Sequence, residues 1–241
     1  MNNDTIIVRQ VRESDCEQVI SLEKNVWGKI GVISMSEELF HSWLNTHGEG
    51  FLVAVGNNTI LGYTYNEIVE FDEYTVHTPA WQKLTREYYL RSHHNPTGNA
   101  LFGISLATDP PNTGTGKYLL KAVRDLIENK KLEYWVTLAR MPGLSEFINC
   151  IQNKCIGLED LEILARIYAV KNIHLIGGKV HPDLEAIPIP QNIPQITQPD
   201  SVLCRFAKLL DMTLYAVVPS AFDDPESANL TSCLVKKMRE L

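Results

Sequence analysis

Long apolar runs are missing from this chain. No window approaches roughly 18 uninterrupted apolar residues, so a membrane-spanning helix is excluded. A surplus of positive charge is missing too. Lys and Arg number 22 against 29 Asp and Glu, a net charge of −7, so the chain gains little by displacing counterions from phosphates. That argues against nucleic acid as a bulk partner. Cysteine is sparse and unpatterned: Cys16, Cys150, Cys155, Cys204 and Cys233 are odd in number with no CxxC, which points to free thiols in a reducing compartment. Met1-Asn2-Asn3-Asp4 has no basic segment and no apolar segment follows it, so no secretory signal is expected. No HxxxH pair or Cys/His cluster exists, and the adjacent His93 and His94 face opposite ways on an extended segment, so no metal site is expected. What remains is an ordinary globular composition over 241 residues, with 44% hydrophobic and 21% charged residues. It predicts a soluble, compact, cytoplasmic protein.

The patterning is that of alternating strands and helices. Thr5–Gln10 reads as a first strand because Ile6, Ile7 and Val8 are β-branched. Glu13 to Val26 has helical spacing, with Ser14 or Asp15 as N-cap, and Ser36 opens a second helix carrying Leu39, Phe40, Trp43 and Leu44. Phe51–Val55 and Ile60–Val69, joined at Gly56-Asn57-Asn58, form a hairpin. The stretch from Phe71 to Asn99 reads as an insertion with a helix from Pro79 to about Arg91. Beyond it come a strand (Leu101–Thr108), a helix (Lys117 to about Asn129), a strand (Tyr134–Ala139) and a helix (Leu158–Val170). Ile173 to Asp200 holds five prolines and reads as a long irregular connection. A short helix (Ser201–Leu210) and strands Thr213–Val218 and Leu230–Lys237 close the chain. This order predicts an α/β fold built on one mixed sheet.

The most informative stretch is Leu106-Ala107-Thr108-Asp109-Pro110-Pro111-Asn112-Thr113-Gly114-Thr115-Gly116-Lys117-Tyr118-Leu119-Leu120. A strand ends, two prolines stiffen the exit, two glycines free the backbone, and a helix begins. The first amides of a helix point outward without intrahelical partners, and the helix dipole adds partial positive charge, so the junction suits a diphosphate. A ligand-free glycine turn has the same spacing. Two other phosphate loops do not fit. A Walker A loop needs Ser or Thr after Gly116-Lys117, where Tyr118 stands, and a Rossmann fingerprint needs a third glycine where Leu119 stands.

From here the chain resembles the GCN5-related N-acetyltransferases (GNAT), whose coenzyme A loop reads Q/R-x-x-G-x-G/A after a strand commonly ending V-x-P. The motif falls on Thr113-Gly114-Thr115-Gly116-Lys117-Tyr118, with Asp109-Pro110 upstream; Thr113 replaces the Arg or Gln, and Tyr118 the small residue. The order of strands and helices around it also matches. The resemblance implies a GNAT-type mixed, mostly antiparallel sheet flanked by helices, with an extended C-terminal half. It implies one domain over 1–241, with 5–140 the coenzyme A-binding half and 141–241 the acceptor-side half. It further implies that the Leu106, Ala107 and Thr108 backbone pairs with the pantetheine arm. The amides of Gly114 to Tyr118 would hold the pyrophosphate, and Lys117 would add charge to it.

A subset of GNATs has a long second half, including the decarboxylase/S-acyltransferases that load polyketide synthases. Asp200–Ala207, Val217-Val218-Pro219 and Asp223–Ser227 look like that subset's closing pattern, and Trp27 and Thr137 fall near its functional Trp and Thr. One departure stands out: where common GNATs carry an acid tyrosine and the subset a Phe-His pair, Phe206 is followed by Ala207, which donates nothing. Candidate catalytic residues are therefore Glu67 as a general base, Thr137 as a hydrogen-bond donor to a thioester or carboxylate, and Tyr168 as a substitute acid. Each also has a bland reading, as an exposed strand carboxylate, a packed strand threonine and a core tyrosine. The expected activity is acyl transfer from acetyl-CoA or another acyl-CoA to a small-molecule amine or a thiol. The alternatives are a malonyl-CoA decarboxylase/S-acyltransferase serving an acyl carrier protein, and an inactive coenzyme A-binding module.

Overall fold

A computed structural model of the protein describes residues 6–28, 35–76, 78, 81, 83, 85, 87, 92–111, 113–153, 160–191, 193–220 and 223–238. It divides into two compact units: Met1–Phe71 with Glu87–Trp135 and Met238–Leu241, and Asp72–Arg86 with Val136–Lys237.

The first unit opens with β1 (Ile7–Gln10) and α1 (Cys16–Val26), which is entered through a 3-10 turn at Glu13–Asp15. Asp15 precedes α1, but its side chain does not cap the helix. Its carboxylate is claimed by the Arg9 guanidinium at 2.6 and 2.8 Å and by the Arg12 amide at 2.7 Å. Helix α2 (Glu37–His47) starts as expected, with the Ser36 hydroxyl accepting from the Leu39 amide at 3.2 Å. β2 (Phe51–Gly56) and β3 (Thr59–Val69) form the hairpin, and Asn57 and Asn58 both take positive φ, 51° and 62°. That conformation suits asparagine and matches the right-handed twist of the strands. The helix expected from Pro79 to Arg91 lies largely outside the described residues, although Trp81, Lys83, Thr85 and Glu87 are helical.

β4 (Ala100–Thr108) follows, then α3 (Thr115–Lys130). The four strands lie in the order β1-β2-β3-β4, each pair antiparallel. Successive β3 residues face opposite sides. Tyr63, Tyr65 and Glu67 look toward α1 and α2, and Trp43 of α2 stacks on Tyr65 with ring centres 4.3 Å apart. Gly62 looks toward α3. A Cβ there would stand 2.8 Å from the Ala107 carbonyl oxygen and 3.2 Å from a methyl of Leu119, so helix and sheet approach more closely than a side chain permits. Between β3 and β4 the register slips: Tyr65 faces Ser105, but Asn66 faces Gly103, leaving Ile104 as a bulge.

The second unit contains most of β5 (Tyr134–Arg140), then α4 (Leu144–Asn153), α5 (Leu161–Leu175), β6 (Lys179–Val180), α6 (Pro182–Glu185), α7 (Leu203–Leu210), β7 (Thr213–Pro219) and β8 (Leu230–Lys237). Its strand order is β5-β8-β7-β6, with β7–β8 antiparallel and β6–β7 parallel. Helix α5 is buried on most sides and runs five residues beyond its expected end, with Asp160 capping the Glu162 and Ile163 amides at 2.9 and 3.2 Å. The stretch expected to be irregular from Ile173 to Asp200 thus holds the end of α5, β6 and α6. Helix α4 was not expected, although Leu144, Phe147, Ile148 and Ile151 keep helical spacing and are buried.

Arg140, at the end of β5, makes a bidentate pair with Asp224 at 2.7 and 2.6 Å and a third bond to Glu226 at 2.9 Å. Asp200 ties α5 to the start of α7, accepting from the Val202 and Leu203 amides at 3.0 Å each, from Gly143 at 3.2 Å and from the Tyr168 hydroxyl at 2.9 Å. No helix among the described residues is long and apolar enough to cross a membrane. The expected α/β class with a mixed, mostly antiparallel sheet and flanking helices holds.

Candidate active site

Every residue of the predicted coenzyme loop except Asn112, which is outside the described residues, lies on β4, α3 or the turn between them. Thr108, Ala107 and Leu106 pair with Gly62, Tyr63 and Thr64 of β3. The chain then turns through a cis Asp109–Pro110 bond, and the Thr113 hydroxyl bridges the Pro110 carbonyl at 3.2 Å and the Thr115 hydroxyl at 2.9 Å. Gly114, at φ 87°, occupies the N-cap of α3 in the left-handed region where glycine is favoured, and it supplies no side-chain cap. The Lys117 amide donates to the Gly114 carbonyl at 2.9 Å, and no side-chain cap covers the Thr115 and Gly116 amides that open the first turn. Lys117 and Tyr118 are exposed beside them.

The two glycines play different parts. Gly114 is required by its own φ. Gly116 is not required by the fold, since a Cβ there would meet nothing nearer than a Thr108 methyl at 3.9 Å. A bare glycine turn accounts for the first but not for the second, whereas a ligand lying close against the amides accounts for both. Gly114 is the N-cap of α3, and Thr115 and Gly116 open its first turn.

The catalytic candidates divide between the units. Glu67, in the first, is not an exposed strand carboxylate: it is 1% exposed and accepts from the Tyr65 hydroxyl at 2.7 Å and the His93 amide at 2.8 Å. Burial and the Glu67 charge push the Tyr65 phenol well above its ordinary range. His93 and His94 do not converge on one point. His94 accepts from the Ile68 amide at 3.3 Å and stacks on His47 with centroids 4.3 Å apart, and burial lowers the His94 pKa. In the second unit Thr137 is 9% exposed on β5, and among the described residues its hydroxyl makes no hydrogen bond. Tyr168 donates to Asp200, and burial followed by the Asp200 charge raises its phenol far above ordinary values. Ala207 is buried on α7, its carbonyl accepting from Met212 at 3.0 Å.

A polar group that sequence reasoning missed lies on the α1 side of the first unit. Glu23 of α1 is 0% exposed and accepts from the Tyr63 hydroxyl, whose oxygen is 2.8 Å from Ser105 Oγ on β4. The signal was in the sequence: Glu23 falls on the same stripe as Val19, Leu22 and Val26, where a charge is out of place unless it is paired.

No protein-family model matches the chain. A Bacillus subtilis (strain 168) protein, the uncharacterized N-acetyltransferase YkwB, is 28% identical over 144 residues, covering 58% of this chain and 62% of the relative. The chain thus spans less than two thirds of that relative's length. Among solved structures, the GphF GNAT-like decarboxylase in complex with isobutyryl-CoA is 19% identical with a TM-score of 0.67, covering 97% of this chain and 100% of that one. The loading GNATL domain of CurA from Lyngbya majuscula is 13% identical with a TM-score of 0.63, covering 97% and 98%. The chain has the GNAT fold. The fold resemblance extends beyond residues 5–140, because both of these long GNAT-like structures are matched over nearly their whole length.

Proposed function

We propose that the protein is an acyl-coenzyme A-dependent acyltransferase that moves an acetyl or other acyl group to an amine or thiol acceptor. The observation that carries this reading is the junction of β4 and α3, where Gly116 is a glycine the fold does not need. The amides of Thr115 and Gly116 would bind the pyrophosphate, and the Lys117 ammonium would add charge at the same place. Leu106 to Thr108 would hold the pantetheine arm as a further strand, and a backbone amide near Leu106 would polarise the thioester carbonyl. Rate would come largely from holding thioester and nucleophile together, which asks little of individual side chains.

Within this reading the acceptor's proton needs a base, and Glu67, held by the Tyr65 hydroxyl and the His93 amide, is the carboxylate the sequence nominates for it. Thr137 would hydrogen-bond a thioester carbonyl or a carboxylate. Tyr168 has its hydroxyl occupied by Asp200 and would need to leave that bond to serve as an acid. The loading-type alternative, decarboxylation of malonyl-coenzyme A with transfer to an acyl carrier protein, draws support from the near-complete coverage of GphF and CurA and from the uncommitted Thr137 hydroxyl.

The test is a side-by-side product search. Acetyl-coenzyme A with amines, and malonyl-coenzyme A with a carrier protein, are followed for free thiol and carbon dioxide. Acyl transfer supports the main reading. Carbon dioxide release that is lost in Thr137→Val favours the loading reading. Thermal stabilisation by coenzyme A with neither product identifies a binding module, and no stabilisation by any acyl-coenzyme A removes all three.

A further inference from the structure

The first unit carries a second, deeper acid–base assembly that Glu67 does not explain. Glu23, Tyr63 and Ser105 come from three elements, α1, β3 and β4, and join in one line of hydrogen bonds. Exposure increases along it, from 0% at Glu23 and Tyr63 to 9% at Ser105. The line therefore begins at a carboxylate sealed under α1 and ends at the hydroxyl nearest to solvent. A glutamate placed there at random would cost stability, since burying a charge is expensive unless it is hydrogen-bonded.

Ser105 also sits where a coenzyme thioester has to pass. It is three residues before Thr108, the last residue of β4, from which the chain runs into the loop. At ~3.3 Å per residue that is roughly 10 Å along the strand from the pyrophosphate site, within reach of a pantetheine arm lying on β4. Ser105 also adjoins the Ile104 bulge, where the β3–β4 ladder is interrupted. Bulges of this kind are over-represented beside active sites because they re-aim neighbouring groups.

We infer that Ser105 is the group that receives the acceptor's proton, and that Tyr63 and Glu23 are positioning residues that carry it inward. The inference rests on the acyltransferase reading. The acceptor nitrogen forms a bond to the thioester carbon as the carbon–sulfur bond breaks and the sulfur leaves as thiolate. The nitrogen's proton moves to Ser105 Oγ, the Ser105 proton to the Tyr63 oxygen, and the Tyr63 proton to the Glu23 carboxylate. Glu23 ends neutral and later returns its proton to solvent. The relay explains how a GNAT with Ala207 in the acid slot can run: a base built into the sheet drives the nucleophile instead of an acid drawing off the thiol.

The experiment uses the full chain with acetyl-coenzyme A and three primary amines: spermidine, an α-amino peptide and an aminoglycoside. Free thiol release is measured in water and in mixtures of light and heavy water. Ser105→Ala is expected to lower kcat about 10²–10⁴-fold, the range for losing a general base, with the acetyl-coenzyme A KM unchanged. Ser105→Thr, which keeps a hydroxyl, is expected to retain most of kcat. The wild-type proton inventory should be curved, as several protons move together, and should become linear in Tyr63→Phe. Melting curves with and without coenzyme A establish that each variant is folded and still binds. A wild-type kcat in Ser105→Ala overturns the relay while leaving acyl transfer standing. So does a linear wild-type inventory. No wild-type turnover with any acceptor overturns the acyltransferase reading and the relay together.

Discussion

Replacing Gly116 by alanine separates what the fold requires from what a ligand requires. The new Cβ meets only the Thr108 methyl, at 3.9 Å, an ordinary van der Waals contact. Residue 116 is in the first turn of α3, where alanine is preferred over glycine by about 0.5–1 kcal/mol. In a chain of this size each kcal/mol moves Tm by about 2–4 °C, so Gly116→Ala should melt up to a few degrees higher than wild type. Coenzyme A binding should move the opposite way. The methyl occupies the space over the first-turn amides, and one lost hydrogen bond to a charged group costs about 1.5–3 kcal/mol. At 1.4 kcal/mol per factor of ten, that is roughly 10–100-fold in Kd. Gly114→Ala is the counterpart: with φ at 87° it puts a side chain in left-handed backbone, at a cost of about 1–2 kcal/mol. Differential scanning calorimetry and titration calorimetry on the same preparations give both numbers. A Gly116→Ala variant that binds coenzyme A like wild type would refute the argument that this glycine is kept for a ligand.

Tyr168→Phe should cost about 0.5–1.5 kcal/mol, the loss of one of the two hydrogen bonds to that Asp200 oxygen, which keeps the Gly143 amide, and leave kcat unchanged; a drop in kcat at constant Tm would return Tyr168 to the reaction. Arg9 holds the Asp15 carboxyl below the usual aspartate range, so the unfolded chain binds more protons in that window and stability rises with pH across it. That contribution is full above about pH 4 and is lost as pH falls through the lowered native value. Asp15→Asn should cost roughly 1–3 kcal/mol at neutral pH and flatten the acid limb of the stability curve; an unchanged limb would exclude this pair as its source. Burial pushes the Cys233 thiol up to about 12 and the Cys204 thiol up to about 11. Cys204 and Cys233 should therefore resist a thiol reagent at pH 8 in the native state and react only on unfolding, as mapped by mass spectrometry.

The elements readable from the sequence were those whose signals are local. Asn57-Asn58 fixes the hairpin, Ser36 starts α2, and the Gly114-Thr115-Gly116 junction announces itself by spacing alone. The misreadings arose where distant residues decide. Asp15 looks like a cap, but Arg9 on the preceding strand takes its carboxylate. The helix Leu144–Asn153 has no side-chain signal at its start, and its apolar face is satisfied only by packing. Glu67 looks like a solvated strand residue because its partners, Tyr65 and the His93 amide, meet it only after the sheet forms. The Glu23–Tyr63–Ser105 line joins residues about forty positions apart, and only the out-of-place charge on α1 hinted at it.

Gly62 would govern the proposed anion site from behind, across the sheet beside Thr108. Its missing side chain sets how low α3 rides on the sheet, and the same close packing against Leu119 fixes the height at which the helix presents its first amides above the end of β4. A methyl added there would act as a shim, lifting the helix and changing its pitch, and the phosphate cradle would go out of true although every residue of it remained intact. Weakened coenzyme binding in a Gly62 variant would thus be a lever effect, and a mutational scan that equates lost affinity with contact would assign residue 62 to the binding site by mistake.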